Sequence, residues 1–235
     1  VVTWHFYPAF APEHYNAHNL PGFLQPLLAT PQLMTQPWVL DLVGGVADAV
    51  NALARKSLPR AEVWLGETGS AVGGGAANVS NAFADGFEWL DKMGQMALAG
   101  QSVVFRQTLC GYRYGLLDFD VNPMPAYFTA VLFKRLVGGA VLTTAIEPTV
   151  TVATGGAADP TSNDTATLRA YTFCARGSGL VAILINLDNT TNATVALQAD
   201  GKAPAGERWD FLLTAHDGAD IGDSAIYLNG QQLRV

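Results

Sequence analysis

Glu62-Val63-Trp64-Leu65-Gly66-Glu67-Thr68-Gly69-Ser70-Ala71-Val72-Gly73-Gly74-Gly75 is a short apolar run that delivers one carboxylate into a glycine-rich loop. Val63-Trp64-Leu65 lies just past Pro59 and is followed by small residues, so it predicts a buried strand whose end opens onto free space. In parallel α/β folds chemistry is built at the strands' C-terminal ends, which makes Glu67 the first catalytic candidate. The alternative for Glu67 is a surface or capping glutamate at a loop entry.

The flanks give the stretch its setting. Val1 to Pro8 predicts a core strand stopped by Pro8 and Pro12, with His5 and Tyr7 near its C-terminal end. From Ala9 to Gln36 the chain carries Pro at 12, 21, 26 and 31 with aromatics between, which predicts a long loop placed to wall a cleft. Pro37 opens a predicted helix in which Trp38, Leu42, Val46, Val50 and Leu53 share one stripe. A second helix is expected over 80–99 with Phe83, Phe87, Leu90 and Leu98 on its buried face, then a strand over 102–109. A third helix over 125–137 should end at Gly138-Gly139. Strand and helix alternate three times, and the strands are apolar enough to be covered on both faces. The predicted fold is therefore α/β, three units of a (β/α)8 TIM barrel over 1–138; a doubly wound sheet fits less well, because several strand ends carry residues able to do chemistry.

After Gly139 the pattern becomes all-β. Short strands are expected at 141–146, 150–153, 167–173, 180–187, 194–197, 208–213 and 226–228, with a hairpin turn at Asn229-Gly230, which predicts a β-sandwich domain over 139–235. Residues 154–164 read as a flexible loop.

Composition narrows the function. With 235 residues and 49% apolar content the chain can bury a sizeable core. Thirteen Lys and Arg against 20 Asp and Glu, without a basic stripe, argue against nucleic acid as a partner. No uninterrupted apolar run reaches the roughly 18 residues that cross a bilayer, so no membrane span is expected. A core strand at once, without Met, suggests a processed or excerpted piece, with any export signal upstream. Cys110 and Cys174 lack metal-ligand spacing and read as buried free thiols or a disulfide. His14, His18 and His216 read as loop residues, Glu62 and Glu88 as solvated carboxylates, and Asp118 as a loop organiser. Glycosylation sequons occur at Asn78, Asn163, Asn189 and Asn192.

Several segments together carry a resemblance. Val63 to Thr68, Gly73-Gly74-Gly75, Phe87 to Lys92, Arg106-Gln107, and Tyr114-Gly115-Leu116-Leu117-Asp118 through Pro123-Met124-Pro125-Ala126-Tyr127 occur in the order found in the heparanase family. The chain resembles these retaining β-glucuronidases of glycoside hydrolase family 79 from Thr3 to about Leu142, and more loosely at Ile183 to Leu187 and Leu228 to Gly230. The resemblance implies that the three units are barrel strands six to eight, followed by the sandwich. It implies Glu67 as the nucleophile of an endo-acting enzyme on glucuronate-containing glycosaminoglycan such as heparan sulfate. Tyr7 then lines the subsite of the cleaved sugar, its phenol bonded to the nucleophile, and Gly73 and Gly74 offer backbone N–H groups to the glucuronate carboxylate. Gln107 and Tyr114 supply further sugar contacts. The resemblance implies no cofactor or metal, a secreted or periplasmic location, and an acid/base Glu in the upstream part of the same protein. Two other readings stand beside it, an exo-β-glucuronidase and a catalytically silent carbohydrate-binding fragment. Phe6, Pro8, Gly69 and Val72 depart from the family pattern, as does the lack of Lys and Arg runs, and these departures fall on the outer, sulfate-reading subsites.

Overall fold

The computed structural model describes residues 1–147, 167–188, 190–216 and 221–234. In chain order the elements are β1 (Val2–Phe6), β2 (Ala9–Phe10), α1 (Pro12–Ala17), a 3-10 turn (Gly22–Leu27), α2 (Pro31–Met34), α3 (Pro37–Ser57), β3 (Val63–Thr68), β4 (Ala71–Val72), α4 (Phe83–Leu98), β5 (Val103–Arg106) and α5 (Pro125–Leu136). The remainder is β6 (Val137–Leu142), β7 (Leu168–Ala175), β8 (Leu180–Asn186), β9 (Leu213–Thr214), β10 (Tyr227–Leu228) and β11 (Gln231–Gln232).

β1, β3 and β5 form a parallel sheet with β3 in the centre. Parallel neighbours need a crossover, and α3 and α4 supply it, so the expected repetition of strand and helix is present. Among the described residues β1 and β5 each pair on one side only. α3 lays Val43, Ala47 and Ala54 against Trp4, Val63 and Leu65. A buried polar chain fixes its register: Trp4 Nε1 donates to Gln101 Oε1 at 3.0 Å, Gln101 Nε2 to Asn51 Oδ1 at 2.9 Å, and Asn51 Nδ2 to the Ala99 carbonyl at 2.8 Å. Satisfying these groups internally removes the penalty of burying them.

α3 corrects two expectations. Its buried residues are Val39, Leu40, Val43, Ala47, Asn51 and Ala54, while Trp38 and Leu53 of the expected stripe are exposed and line an outer groove with Leu42, Val46 and Val50. The helix is apolar on two faces, so periodicity alone did not tell the inner from the outer one. For the same reason its 21 residues are long and apolar enough, by length and composition, to cross a bilayer, although no single run is uninterrupted.

The expected loop over 9–36 is instead organised into β2, α1, a 3-10 turn and α2. Its Ala9, Ala11, Ala29 and Met34 are buried with Ala71, Ala76 and Val79 of the glycine-loop segment. The strand expected over 102–109 is limited to Val103–Arg106, and the helix expected to stop at Gly138-Gly139 stops at Leu136, with both glycines inside β6.

An antiparallel sheet in the order β6-β7-β8 packs on the helices, with Tyr171 and Phe173 against Ala97 and Phe133, and Ile185 and Leu187 against Leu40, Phe87 and Leu90. A smaller sheet, β11-β10-β9, turns through Asn229 and Gly230, both at positive φ as the expected hairpin requires. Residues 194–197 and 207–212 are not strands. The strand expected at 150–153 and the loop at 154–164 lie outside the described residues. α4 lacks a side-chain N-cap; the carbonyls of Ile221 and Asp223 accept from Ala84 N at 3.0 Å and Phe83 N at 2.8 Å. Orphan N–H groups of a first turn are thereby satisfied by a distant segment.

Tyr171 sits so close to α4 that a Cβ on Gly94 would lie 2.3 Å from its ring. Gly94→Ala should therefore cost about 1–3 kcal/mol through overpacking. Gly45→Ala on α3, where a Cβ meets nothing within 4 Å, should gain about 0.5–1 kcal/mol. Denaturant unfolding of the full-length protein checks both signs.

Candidate active site

The site begins with a register break. β1 and β3 run Trp4 opposite Leu65 and then His5 opposite Glu67, and β3 against β5 shifts between Leu65 and Thr68. The extra residue is Gly66. Such a bulge re-aims the side chain that follows, and here it brings Glu67 beside His5. Thr68 Oγ1 then donates to the Phe6 carbonyl at 2.6 Å, and Gln107 N to the Thr68 carbonyl at 2.8 Å, which locks the strand end on both sides.

Glu67 is 35% exposed at its side chain. Tyr7 Oη donates to Glu67 Oε1 at 2.8 Å, and His5 Nδ1 stands 3.5 Å from Oε2. Burial, and then the bond to Glu67, holds the Tyr7 phenol far above its ordinary pKa, so it stays a donor at any physiological pH. Tyr114 faces Tyr7 with ring centroids 6.1 Å apart; burial raises its pKa, a bond with Gln107 opposes this, and Glu67 adds to it. Glu67, Tyr7, Tyr114 and Gln107 are thus brought together from the ends of β1, β3 and β5 and the loop after β5.

The glycine loop packs beside Tyr114. Gly73, Gly74 and Gly75 have φ of 96°, 94° and 82°, a region that L side chains rarely adopt. Space forbids a side chain as well: a Cβ on Gly73 would lie 2.2 Å from His14 Cβ, and one on Gly75 would lie 2.8 Å from Tyr114 N. The loop is stapled by Ala11 N to the Val72 carbonyl at 3.0 Å, Arg113 N to the Gly74 carbonyl at 2.8 Å, and Ser80 Oγ, which takes Ala76 N at 2.9 Å and Ser70 Oγ at 2.8 Å. The three glycines are a built wall.

Beneath the site, α4 corrects the reading of Glu88 as solvated. Lys92 Nζ pairs with Glu88 Oε1 at 2.6 Å, with the two side chains 2% and 1% exposed. An i,i+4 partner inside the core allows that burial. Asp85 pairs with Arg106, whose guanidinium lies 5.0 Å from the Trp89 ring centroid. Burial pushes the Asp85 carboxyl up to about 6, with Arg106 pulling the other way. Asp91 is buried too; it accepts from Tyr171 Oη at 2.7 Å and from Gln95 Nε2 at 2.6 Å, and Arg169 lies 3.2 Å away. Sequence reasoning missed these residues because their spacing on α4 looks like a solvent face.

Elsewhere the expectations fare unevenly. Asp118 orders its loop as expected, Oδ1 accepting from Asp120 N at 2.9 Å and Asn122 N at 2.8 Å. His14 is not a plain loop residue: it lies in α1, packs on Gly73, and stacks on His18 at 4.1 Å. Both cysteines are free thiols, and Cys110 is exposed, which corrects its expected burial. Among the described residues no cluster of three or more His, Cys, Asp or Glu is placed to hold a metal ion.

A partly exposed carboxylate at a parallel strand's end, bonded to a tyrosine, is a site of the kind glycoside hydrolases build. The chain is a homologue of the glycosyl hydrolase family 79 proteins and, within them, of heparanases and β-glucuronidases. Residues 22–94 match "Glycosyl hydrolase family 79, N-terminal domain". Over its whole length the chain is 32% identical to heparanase of Gallus gallus, covering 40% of that protein. It is 39% identical to heparanase of Bos taurus over 62% of this chain and 24% of that one. Baicalin-beta-D-glucuronidase of Scutellaria baicalensis is 28% identical over 86% of this chain and 35% of its own length. A 4-O-alpha-L-rhamnosyl-beta-D-glucuronidase from Fusarium oxysporum shares the fold, with a TM-score of 0.52 at 19% identity, over 82% of this chain and 35% of that one. The chain therefore spans 40% or less of the relatives it matches.

Gly73→Ala should destabilise by more than about 1–2 kcal/mol, the cost of the left-handed backbone for a residue with Cβ, because the clash with His14 adds to it. Faster proteolysis within residues 12–20 at unchanged α3 protection is the expected readout.

Proposed function

We propose that this chain supplies the nucleophile of a retaining β-glucuronidase of heparanase type, with Glu67 attacking the anomeric carbon. The observation that carries this is the 2.8 Å bond from Tyr7 to Glu67 at the bulged end of β3. One oxygen is held while the carboxylate as a whole stays partly open, which is the state a nucleophile needs before attack. A retaining glycosidase uses two carboxyl groups about 5–5.5 Å apart, one as nucleophile and one as acid/base. Asp85, Glu88 and Asp91 are each committed to a buried cation or tyrosine and leave no acid/base among them. The acid/base comes from the upstream part of the same protein, which also continues the sheet beyond β1 and β5 into a (β/α)8 barrel. Residues 1–138 are then the C-terminal part of that barrel and 139–235 a β-sandwich domain.

The substrate is a glucuronate-containing glycosaminoglycan such as heparan sulfate, cut internally, and a secreted or periplasmic place of action goes with it. Gly73 and Gly74 offer backbone N–H groups to the sugar carboxylate, with Tyr114 and Gln107 beside them. Neutral donors suffice for an anion because each N–H aimed at it is a charge-assisted bond. A second reading, an exo-acting enzyme on small glucuronides, is favoured by the likeness to a relative named for baicalin.

In double displacement, Glu67 forms a glucuronyl ester as the acid/base protonates the leaving oxygen; that residue then activates water to cleave the ester. Glu67→Gln in the full-length protein should lower kcat on an aryl β-D-glucuronide by roughly four orders of magnitude or more. A 2-deoxy-2-fluoro glucuronide should label the Glu67 peptide, read by mass spectrometry. Near-normal turnover in the variant, or a label elsewhere, overturns the assignment. Tyr7→Phe should retain binding and lower kcat about 10–100-fold. Comparing product lengths from a glucuronate polysaccharide separates internal from terminal cleavage.

A further inference from the structure

Two buried cations under the site are placed to do more than neutralise carboxylates. Lys92 Nζ, already paired with Glu88, also donates to the carbonyl of Gly69 at 3.0 Å. Arg106, already paired with Asp85, also donates from Nε to the carbonyl of Tyr114 at 3.0 Å. Each cation therefore ties α4 to one backbone segment of the site. Gly69 follows Glu67 by two residues, and a Cβ built on it would lie 3.1 Å from the Tyr7 ring and 3.3 Å from the Tyr114 ring. The Gly69 peptide is the floor between the two tyrosines. A shift in its carbonyl moves the strand end that carries Glu67, and a shift at Tyr114 opens the facing wall.

The helix that bears these groups is itself anchored from its other side. Asp91, next to Lys92, is held by Tyr171 Oη at 2.7 Å, and Arg169 from the same strand reaches Asp41 of α3 at 2.5 Å. The four paired side chains are between 1% and 4% exposed. Water does not compete for their donors, so each bond keeps a fixed direction.

We propose that Lys92 and Arg106 are positioning residues, Lys92 fixing the Gly69 carbonyl and hence Glu67, and Arg106 fixing the Tyr114 carbonyl and hence the wall opposite it. The proposal rests on the reading of Glu67 as nucleophile. Charge neutralisation alone would not require either cation to spend a donor on a site carbonyl.

The test uses the full-length protein and two variants. Lys92→Met with Glu88→Gln removes both charges together and leaves neither buried unpaired. Arg106→Lys keeps a cation for Asp85 but loses the Nε donor to Tyr114. Amide hydrogen exchange should rise about tenfold or more over 69–72 in the first variant and over 113–116 in the second, with the middle of α4 within about twofold of wild type. On an aryl β-D-glucuronide the first variant should lose kcat by about 10–100-fold at nearly constant KM, since small misplacements of a reacting group cost rates of that order. The second should lose about tenfold in kcat/KM. Unchanged exchange over both segments, or raised exchange with unchanged kinetics, overturns the proposal. If the first variant does not fold, Arg106→Lys decides in the same two assays. Exchange needs no substrate, so a wild type without glucuronidase turnover overturns the proposed reaction while the exchange result still decides the two contacts.

Discussion

Four ionisable side chains of one helix, Asp85, Glu88, Asp91 and Lys92, are buried to 2% exposure or less, and each must find a partner. Breaking such a pair by removing one member costs roughly 3–5 kcal/mol, a large share of a typical domain's total stability. That requirement dictates much of the surrounding structure. Glu88 is answered from its own helix by Lys92, Asp85 from the end of β5 by Arg106, and Asp91 from the antiparallel sheet by Tyr171 and Arg169. α4 is thus bound to the parallel sheet on one side and to the antiparallel sheet on another, by contacts that tolerate little displacement. Replacing the whole set by apolar residues of equal volume would cost little stability in principle. What such a replacement would lose is the direction these groups impose.

The strand ends above that helix show what direction accomplishes. A regular β3 would put Gly66 opposite His5; the extra residue puts Glu67 there instead. A Cβ at Gly66 would crowd Thr3 Cβ at 3.2 Å, so the bulge favours a small residue. The same economy of space holds the glycine wall, where His14 and Tyr114 N occupy the volumes that side chains at 73 and 75 would require. Tight backbone approach and left-handed φ are joined in this loop.

Much of this was legible in the sequence where local chemistry decides it. The apolar run to Leu65, the prolines that open α3 and α5, and the Asn229-Gly230 hairpin each carry their own signal, and strand and helix alternate as read. Glu67, Tyr7, Tyr114 and Gln107 lie together because strand ends in a parallel sheet come side by side. What was not legible depends on distant partners. Glu88 and Lys92 at i,i+4 look like a solvated pair, and nothing local says that they will lie buried against the backbone at Gly69. α3 is apolar on two sides, so its pattern names a helix without saying which side faces in. The segment after Pro8 looked structureless because its helices are too short to show a period.

The carboxylates of this region differ sharply in their surroundings. Asp85, Glu88 and Asp91 spend their charge on cations or a phenol in the core, and their surroundings leave no path for a reacting molecule. Glu67 has one oxygen held by Tyr7 and the other near a histidine whose side chain is 59% exposed. Its surroundings orient it without neutralising it. A carboxylate kept only for stability would be matched with a buried cation, as its neighbours are. The Tyr7 hydroxyl supplies a hydrogen bond and no charge, which suits the role proposed for Glu67 of meeting a centre that develops positive charge.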